Sequence, residues 1–256
     1  MGIESRSLVV LGLVAGVASS VVPMAAADVI LNPGFGVTST NTASVARYRI
    51  SNTNWDTFIG SSSTVSTSTI VQSANLGTQT ALNTLTWDFA YAYTSGVGYT
   101  WTLSRAGTTS TMSWTAPTAN GPNPTAAFNA ISIAIIAGTA MPAGVTSASA
   151  SATNLAFNFS SGGSPITGSL RDLTSTWTPS GSSGQDRIVI FSDTDLSPTS
   201  WSLTGKVQFT YAGTAGGNLD ERLKFDLATM AAIPQPAGVL VFGAIACLGL
   251  RRSRRV

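Results

Sequence analysis

From Leu85 onward, large apolar side chains recur at every second position of this chain. Leu85, Trp87, Phe89, Tyr91 and Tyr93 alternate with small or polar residues, and Asp88 stands on the opposite face of that run. A period of two places one set of side chains on one face of a pleated strand, so the stretch predicts a half-buried β-strand. After the turn Thr94-Ser95-Gly96-Val97-Gly98, the alternation resumes with Tyr99, Trp101 and Leu103. Gly107 marks a second turn, and Met112 with Trp114 continue on a third strand. Three such runs joined by short glycine turns predict a β-meander.

The same signal persists downstream. Ile131, Ile133 and Ile135 alternate, although Ile136 and the nearby alanines leave a short helix open. Leu155, Phe157 and Phe159 alternate again, followed by runs over 166–173 and 187–191. Residues 201–211 carry Trp201, Leu203, Val207, Phe209 and Tyr211 on one face, with Gly205 at a bulge or bend. Leu223, Phe225 and Leu227 close the series. Residues 28–80 read less clearly, with a first strand at Val29-Ile30-Leu31 and a second over 45–50. The tract 61–69 is almost all Ser and Thr and reads as an exposed strand or loop, with O-linked sugar as the alternative. About ten to twelve short antiparallel strands with Gly, Ser and Pro turns predict an all-β domain, a β-sandwich over residues 28–232. A closed β-barrel is the alternative.

The two ends have a different character. Arg6, an apolar stretch from Leu8 to Val22, the breaker Pro23 and the small residues Ala25-Ala26-Ala27 predict a secretory signal peptide over 1–27. Signal peptidase would read Ala25 and Ala27 and cut before Asp28. A stable N-terminal transmembrane helix is the alternative. At the other end, Pro234 and Pro236 fix φ and remove two backbone donors, so no helix runs through them. The uncharged run 237–250 follows, predicting a transmembrane helix of roughly 21 Å, short against the about 20 residues of a full span. Arg251, Arg252, Arg254 and Arg255 then form a basic end that stays cytoplasmic by the positive-inside rule.

Pro234-Gln235-Pro236-Ala237-Gly238, the apolar run and the terminal arginines together resemble the PEP-CTERM sorting signal of bacterial envelope proteins. That resemblance implies an exosortase, a membrane cysteine protease, that recognises residues 233–256 and removes them during export. Gln235 stands where the family has Glu, so a protease that reads a negative charge would process this chain more slowly. An ordinary C-terminal membrane anchor is the alternative. In the body, the Trp101–Trp114 hairpin, Phe128-Asn129-Ala130-Ile131, and Asp195-Leu196 leading to Trp201-Ser202-Leu203-Thr204-Gly205 are similar to the choice-of-anchor exported domains, the one lettered W. Those domains imply an exported β domain and no catalytic activity.

Charge changes the picture of partners. The formal +2 of the whole chain comes from its basic end. Residues 28–236 hold eight Lys or Arg and ten Asp or Glu, a balance of about −2, which argues against a nucleic-acid partner. Cys247, the one cysteine, lies in the apolar run, so the exported body has no disulfide and depends on packing.

Candidate chemistry is sparse. The chain has no His, which removes Ser-His-Asp and Cys-His arrangements and most zinc sites. Paired carboxylates remain, drawn from Glu221 and Asp88, Asp172, Asp186, Asp193, Asp195, Asp220 and Asp226, most of them expected in turns. Asp193-Thr194-Asp195 with Asp186 offers oxygen ligands for Ca²⁺ without EF-hand spacing, against a plain Asp-rich turn. Trp87, Tyr91, Tyr99, Trp101, Trp114 and Trp201 are either a core or, if exposed, a carbohydrate platform, and their strict alternation favours the core. The expectation is therefore no catalytic residue, no metal and no cofactor. One reading is an exported, non-catalytic envelope or extracellular-matrix protein, transiently anchored in the inner membrane, sorted by an exosortase and associated with exopolysaccharide. The alternative is a carbohydrate-binding module or glycan-active enzyme on the same scaffold.

Overall fold

Alternating apolar and polar side chains give each strand one face to bury, and a sheet with one such face needs a second sheet against it. The structure, a computed structural model, describes residues 28–30, 42–51, 54–61, 70–78, 85–117, 123–161, 164–192, 195–213, 219 and 221–231. The expected signal peptide over 1–27, the expected sorting motif, the apolar run 237–250, the terminal arginines and residues 62–69 lie outside these. Among the described residues there are fifteen strands. They begin with β1 (Asp28–Ile30), β2 (Thr42–Ser51), β3 (Asn54–Gly60), β4 (Ile70–Thr78) and β5 (Leu85–Thr94). The middle of the chain gives β6 (Gly98–Arg105), β7 (Thr108–Trp114), β8 (Ala130–Ala137), β9 (Val145–Ser161) and β10 (Ser164–Ser169). The series closes with β11 (Leu173–Thr178), β12 (Gly181–Ser182), β13 (Gln185–Phe191), β14 (Trp201–Gly213) and β15 (Leu223–Met230).

These strands make two antiparallel sheets packed as a sandwich that does not close, so the barrel alternative falls. One sheet runs β1-β13-β8-β15-β2-β3-β4; the other runs β12-β11-β9-β14-β5-β6-β7, with β10 on the far half of β9. The meander is β5-β6-β7 and lies at one side of the second sheet. The stretch around Ile131 is strand β8, not helix: its residues pair with β13 on one side and β15 on the other.

The core is built from cross-strand rows. Trp114, Tyr99, Tyr93, Trp201 and Phe159 form one row across five strands of the second sheet, and Met112, Trp101, Tyr91, Leu203 and Phe157 the next. All ten are buried. Facing them are Ile131, Ile133 and Ile135 of β8, Leu223, Phe225 and Leu227 of β15, and Tyr48 and Ile50 of β2. Aromatic rings meet across the interface, with Phe89 against Phe225 at 4.8 Å and Phe209 stacked on Tyr48 at 4.9 Å. A smaller buried cluster, including Val45, Phe58, Val189 and Met230, lies on the other face of the first sheet.

Two departures from the expected strands share one cause. Only 155–159 carried a readable signal on β9, yet the strand begins at Val145. Its first half places Ala148, Ala150 and Ala152 inward, beside Tyr211, Phe209 and Val207 of β14. Alanine fits there because its neighbours are large, but Ser-Ala alternation offers little hydropathy contrast. An extra residue then sits on β9 opposite Gly205, with Asn154 at φ 54°, and inward positions switch from even to odd at Leu155. The bulge is therefore at Gly205 as expected, but its added residue belongs to β9. A Cβ at Gly205 would lie 2.9 Å from both Leu155 and Phe89, which explains the glycine. The run expected over 166–173 is likewise two strands, β10 and β11, pairing with successive halves of β9. With β3 and β4, which the sequence reading did not separate, the count rises above ten to twelve.

Candidate functional site

Each carboxylate among the described side chains can be followed to a partner. Asp226 takes two hydrogen bonds from Arg47, at 2.5 and 2.8 Å, and Asp56 takes two from Arg49, at 2.9 and 3.3 Å. Glu221 receives Arg47, Arg49 and Lys224 together, the first and last at 3.2 and 3.1 Å. Both guanidinium groups also lie over the Phe58 ring, at 5.5 and 5.6 Å. This network sits on the outward face of the first sheet because Arg47 and Arg49 alternate with Ala46, Tyr48 and Ile50 on β2. Burial opposes the Arg47 cation, but Asp226 and Glu221 outweigh it and raise its pKa above the ordinary arginine value. Burial likewise opposes the Glu221 carboxylate, yet Arg47, Lys224 and Arg49 hold its pKa below the usual carboxylate value.

The remaining acids are structural in the same sense. Asp186 accepts from Arg171 at 2.7 and 2.9 Å, and that pairing, with the Thr174 amide, keeps its pKa low. Asp88 meets Lys206 at 2.6 Å between exposed side chains. Asp172 accepts from the Asn154 amide, and Asp195 from the amides of Phe128 and Ser197. Asp186 and Asp226, like Asp56 and Asp88, lie on strands rather than in turns, and each is paired with a cation. Sequence reasoning missed the network, although Arg47-x-Arg49 within an apolar strand was its signal.

Other candidates separate in space. Asp186 and Asp195 lie near opposite ends of β8, since Asp186 pairs with Ile135 while Asp195 holds Phe128. Asp193 and Asp220 lie outside the described residues, and among those residues no three metal-ligating side chains converge. Trp87, Tyr91, Tyr99, Trp101, Trp114 and Trp201 are all buried, so these six make a core and no exposed platform. Pro234, Gln235, Pro236, Ala237, Arg251, Arg252, Arg254, Arg255, Ala25 and Ala27 lie outside the described residues. Among those residues, no helix is long and apolar enough to cross a membrane.

One concave feature joins the outward face of the second sheet to the core. At the end where β5, β14 and β9 lie side by side, Ala92, Thr94, Asn158, Ser200 and Ser202 line a groove of about 280 Å³ with Tyr93, Phe159 and Trp201. The row Ala92–Ser202–Asn158 faces outward and Tyr93–Trp201–Phe159 faces inward. Ser200 Oγ accepts from the Ser95 amide at 3.0 Å, and Tyr93 OH donates to the Ser197 carbonyl at 3.0 Å. Trp201 Nε1 is buried and has no hydrogen-bond partner. Away from the groove the outward face is carpeted by Thr, Ser and Ala, interrupted by the Lys206–Asp88 pair. This surface can hydrogen-bond and pack, but it presents no nucleophile with a base. No protein-family model and no curated protein matches this chain.

Proposed function

We propose that this is an exported, non-catalytic bacterial envelope or extracellular-matrix protein, sorted and processed by an exosortase after signal peptidase has acted, and associated with exopolysaccharide. The observation that carries the reading is the order of Pro234-Gln235-Pro236, the uncharged run 237–250 and the arginines at 251, 252, 254 and 255. A proline-rigidified, extended stretch is open to a protease, the apolar run holds it in the bilayer, and the arginines fix its orientation. The β-sandwich is consistent with an exported body, since its core needs no disulfide. Its described carboxylates are all engaged in pairing or capping, which favours a binding or structural role over acid–base catalysis. A glycan-active enzyme has no particular residue pair in its favour.

Intact mass tests the sorting step. Expressed in a host that has an exosortase, the mature protein should have lost the arginine cluster. The Pro236→Ala variant should retain it. A wild-type product that keeps its arginines overturns the reading and returns the segment to a simple anchor.

A further inference from the structure

The strand ladder brings the two ends of the body to one place. Asp28 of β1 pairs with Phe191 of β13, Phe191 with Ala130 of β8, and Ala130 with Met230 of β15, so the four share one cross-strand row. β1 starts on this row and β15 finishes on it. Three strand spacings, about 14 Å, separate Asp28 from Met230. The expected signal-peptidase cut precedes Asp28. The uncharged run begins at Ala237, seven residues after Met230, a reach of at most about 25 Å. Both apolar segments are therefore joined to the same end of the sandwich by short leads.

The second sheet completes that end. Phe128, just before β8, meets Tyr93 edge-on at 5.1 Å, its carbonyl accepts from the Leu196 amide at 2.8 Å, and Tyr99 OH reaches Thr229. The β5–β6 turn and residues 123–129 and 195–200 thus lie at the Met230 end. Val97, in that turn, is the one exposed large hydrophobic among the described residues. Asp195 is the one charged residue in those three stretches, and it accepts from the Phe128 and Ser197 amides. The described Lys and Arg residues lie deeper. In the first sheet the nearest, Arg47 and Arg187, share the row of Asp226, four positions in from Met230. In the second the nearest, Lys206, is five positions in from Trp201. An end with so few ionic groups can approach lipid headgroups with little loss of hydration, whereas Arg105, Glu221 and Arg222 at the other end would have to give theirs up.

We propose that, while either apolar segment is attached, the sandwich stands end-on at the membrane surface, with the β5–β6 turn and residues 123–129 and 195–200 toward the headgroups. The inference rests on reading 1–27 and 237–250 as membrane-inserted, and it adds which surface of the body meets the bilayer. The leads hold the body there by raising its local concentration, so no strong lipid affinity of the sandwich itself is required. The β6–β7 and β11–β12 turns face away from the membrane.

The test uses the full chain with Cys247→Ser, reconstituted in phosphatidylethanolamine–phosphatidylglycerol vesicles that carry an energy-transfer acceptor on the headgroups. The donor dye sits on a single cysteine, either Val97→Cys or Thr108→Cys, both exposed positions at opposite ends of β6. Energy transfer should place residue 108 roughly 25 Å farther from the headgroups than residue 97, the length of that strand. Ala127→Cys, near the membrane, and Ser180→Cys, away from it, form a second exposed pair should one of the first fail to fold. Equal distances for the two members of a pair, or the reverse order, overturn the proposal. So does a chain that fails to float with the vesicles, which also removes the membrane reading of the two segments. Intact mass separates the two ideas. A tail that is never cut, with the difference between near and far sites intact, defeats exosortase processing and leaves the end-on orientation standing.

Discussion

Trp101 on β6 and Thr57 on β3 belong to different sheets, and the indole Nε1 donates to the threonine Oγ1 at 2.6 Å across the sandwich. Thr57 passes the link on, donating to the Arg47 carbonyl at 2.8 Å. Two further ties have the same form: Tyr91 OH with Ser44 Oγ at 2.7 Å, and Tyr99 OH with Thr229 Oγ1 at 2.9 Å. In each, a large aromatic of the second sheet brings one polar atom into the core, and a small hydroxyl on the first sheet meets it. Such pairs fix how the sheets slide past one another, which apolar contact alone leaves loose.

Replacing Thr57 by Val keeps the shape of the side chain and leaves Trp101 Nε1 buried without an acceptor. The expected loss is about 1–3 kcal/mol in denaturant melts. Thr57→Ser should recover most of it. If valine proves neutral, the hydrogen bond contributes nothing to holding the sheets together.

Neighbouring positions on β14 should differ sharply. Phe209 is fully buried and stacks on Tyr48 and Trp55, whereas Gln208 points outward and donates to Thr86 on the surface. Phe209→Ala should cost about 3–5 kcal/mol through lost burial and a cavity. Gln208→Ala should stay within about 0.5 kcal/mol. Comparable losses from both variants would contradict the placement of these faces.

Acid should loosen the outward ion network. Glu221 has a folded pKa below its unfolded value, held there against burial by Arg47, Lys224 and Arg49. Its contribution is therefore present above the ordinary carboxylate pKa and is lost as pH falls through the depressed folded value. Stability should decline as pH drops below about 4. Glu221→Gln should be less stable at neutral pH and show a flatter acid decline. A parallel pH profile in the variant would remove Glu221 from the effect.

Alkali acts through the core. Burial pushes the Tyr48, Tyr91 and Tyr99 hydroxyls well above the ordinary tyrosine value. A raised folded pKa contributes stability in full below the unfolded value of about 10, and that contribution is lost as pH rises toward the folded one. Absorbance at high pH should show these phenols ionising together with loss of the near-ultraviolet dichroism of the fold. Ionisation with that signal intact would mean that they are reachable by solvent.

The sequence by itself determined the fold class, the meander and most of the inward face. Where Trp, Tyr and Phe alternate with Thr, Ser and Ala, burial of one face decides the strand and its orientation, whereas the Ile131–Ile135 run was settled as strand only by its pairing with β13 and β15. The same logic separated the uncharged segment 237–250 and the flanking prolines and arginines from the body. Tertiary structure decided the rest. The alanine half of β9 is a strand because Phe209 and Tyr211 lie beside it, a condition that its own Ser-Ala pattern does not express. The bulge at Asn154 follows from β9 matching β14, and the Arg47–Asp226 and Arg49–Glu221 pairs join residues far apart in sequence across β2, β15 and the turn before it. The groove likewise exists only where the ends of β5, β14 and β9 meet. Local alternation can report which face is buried; it cannot report which residues of another strand will stand opposite.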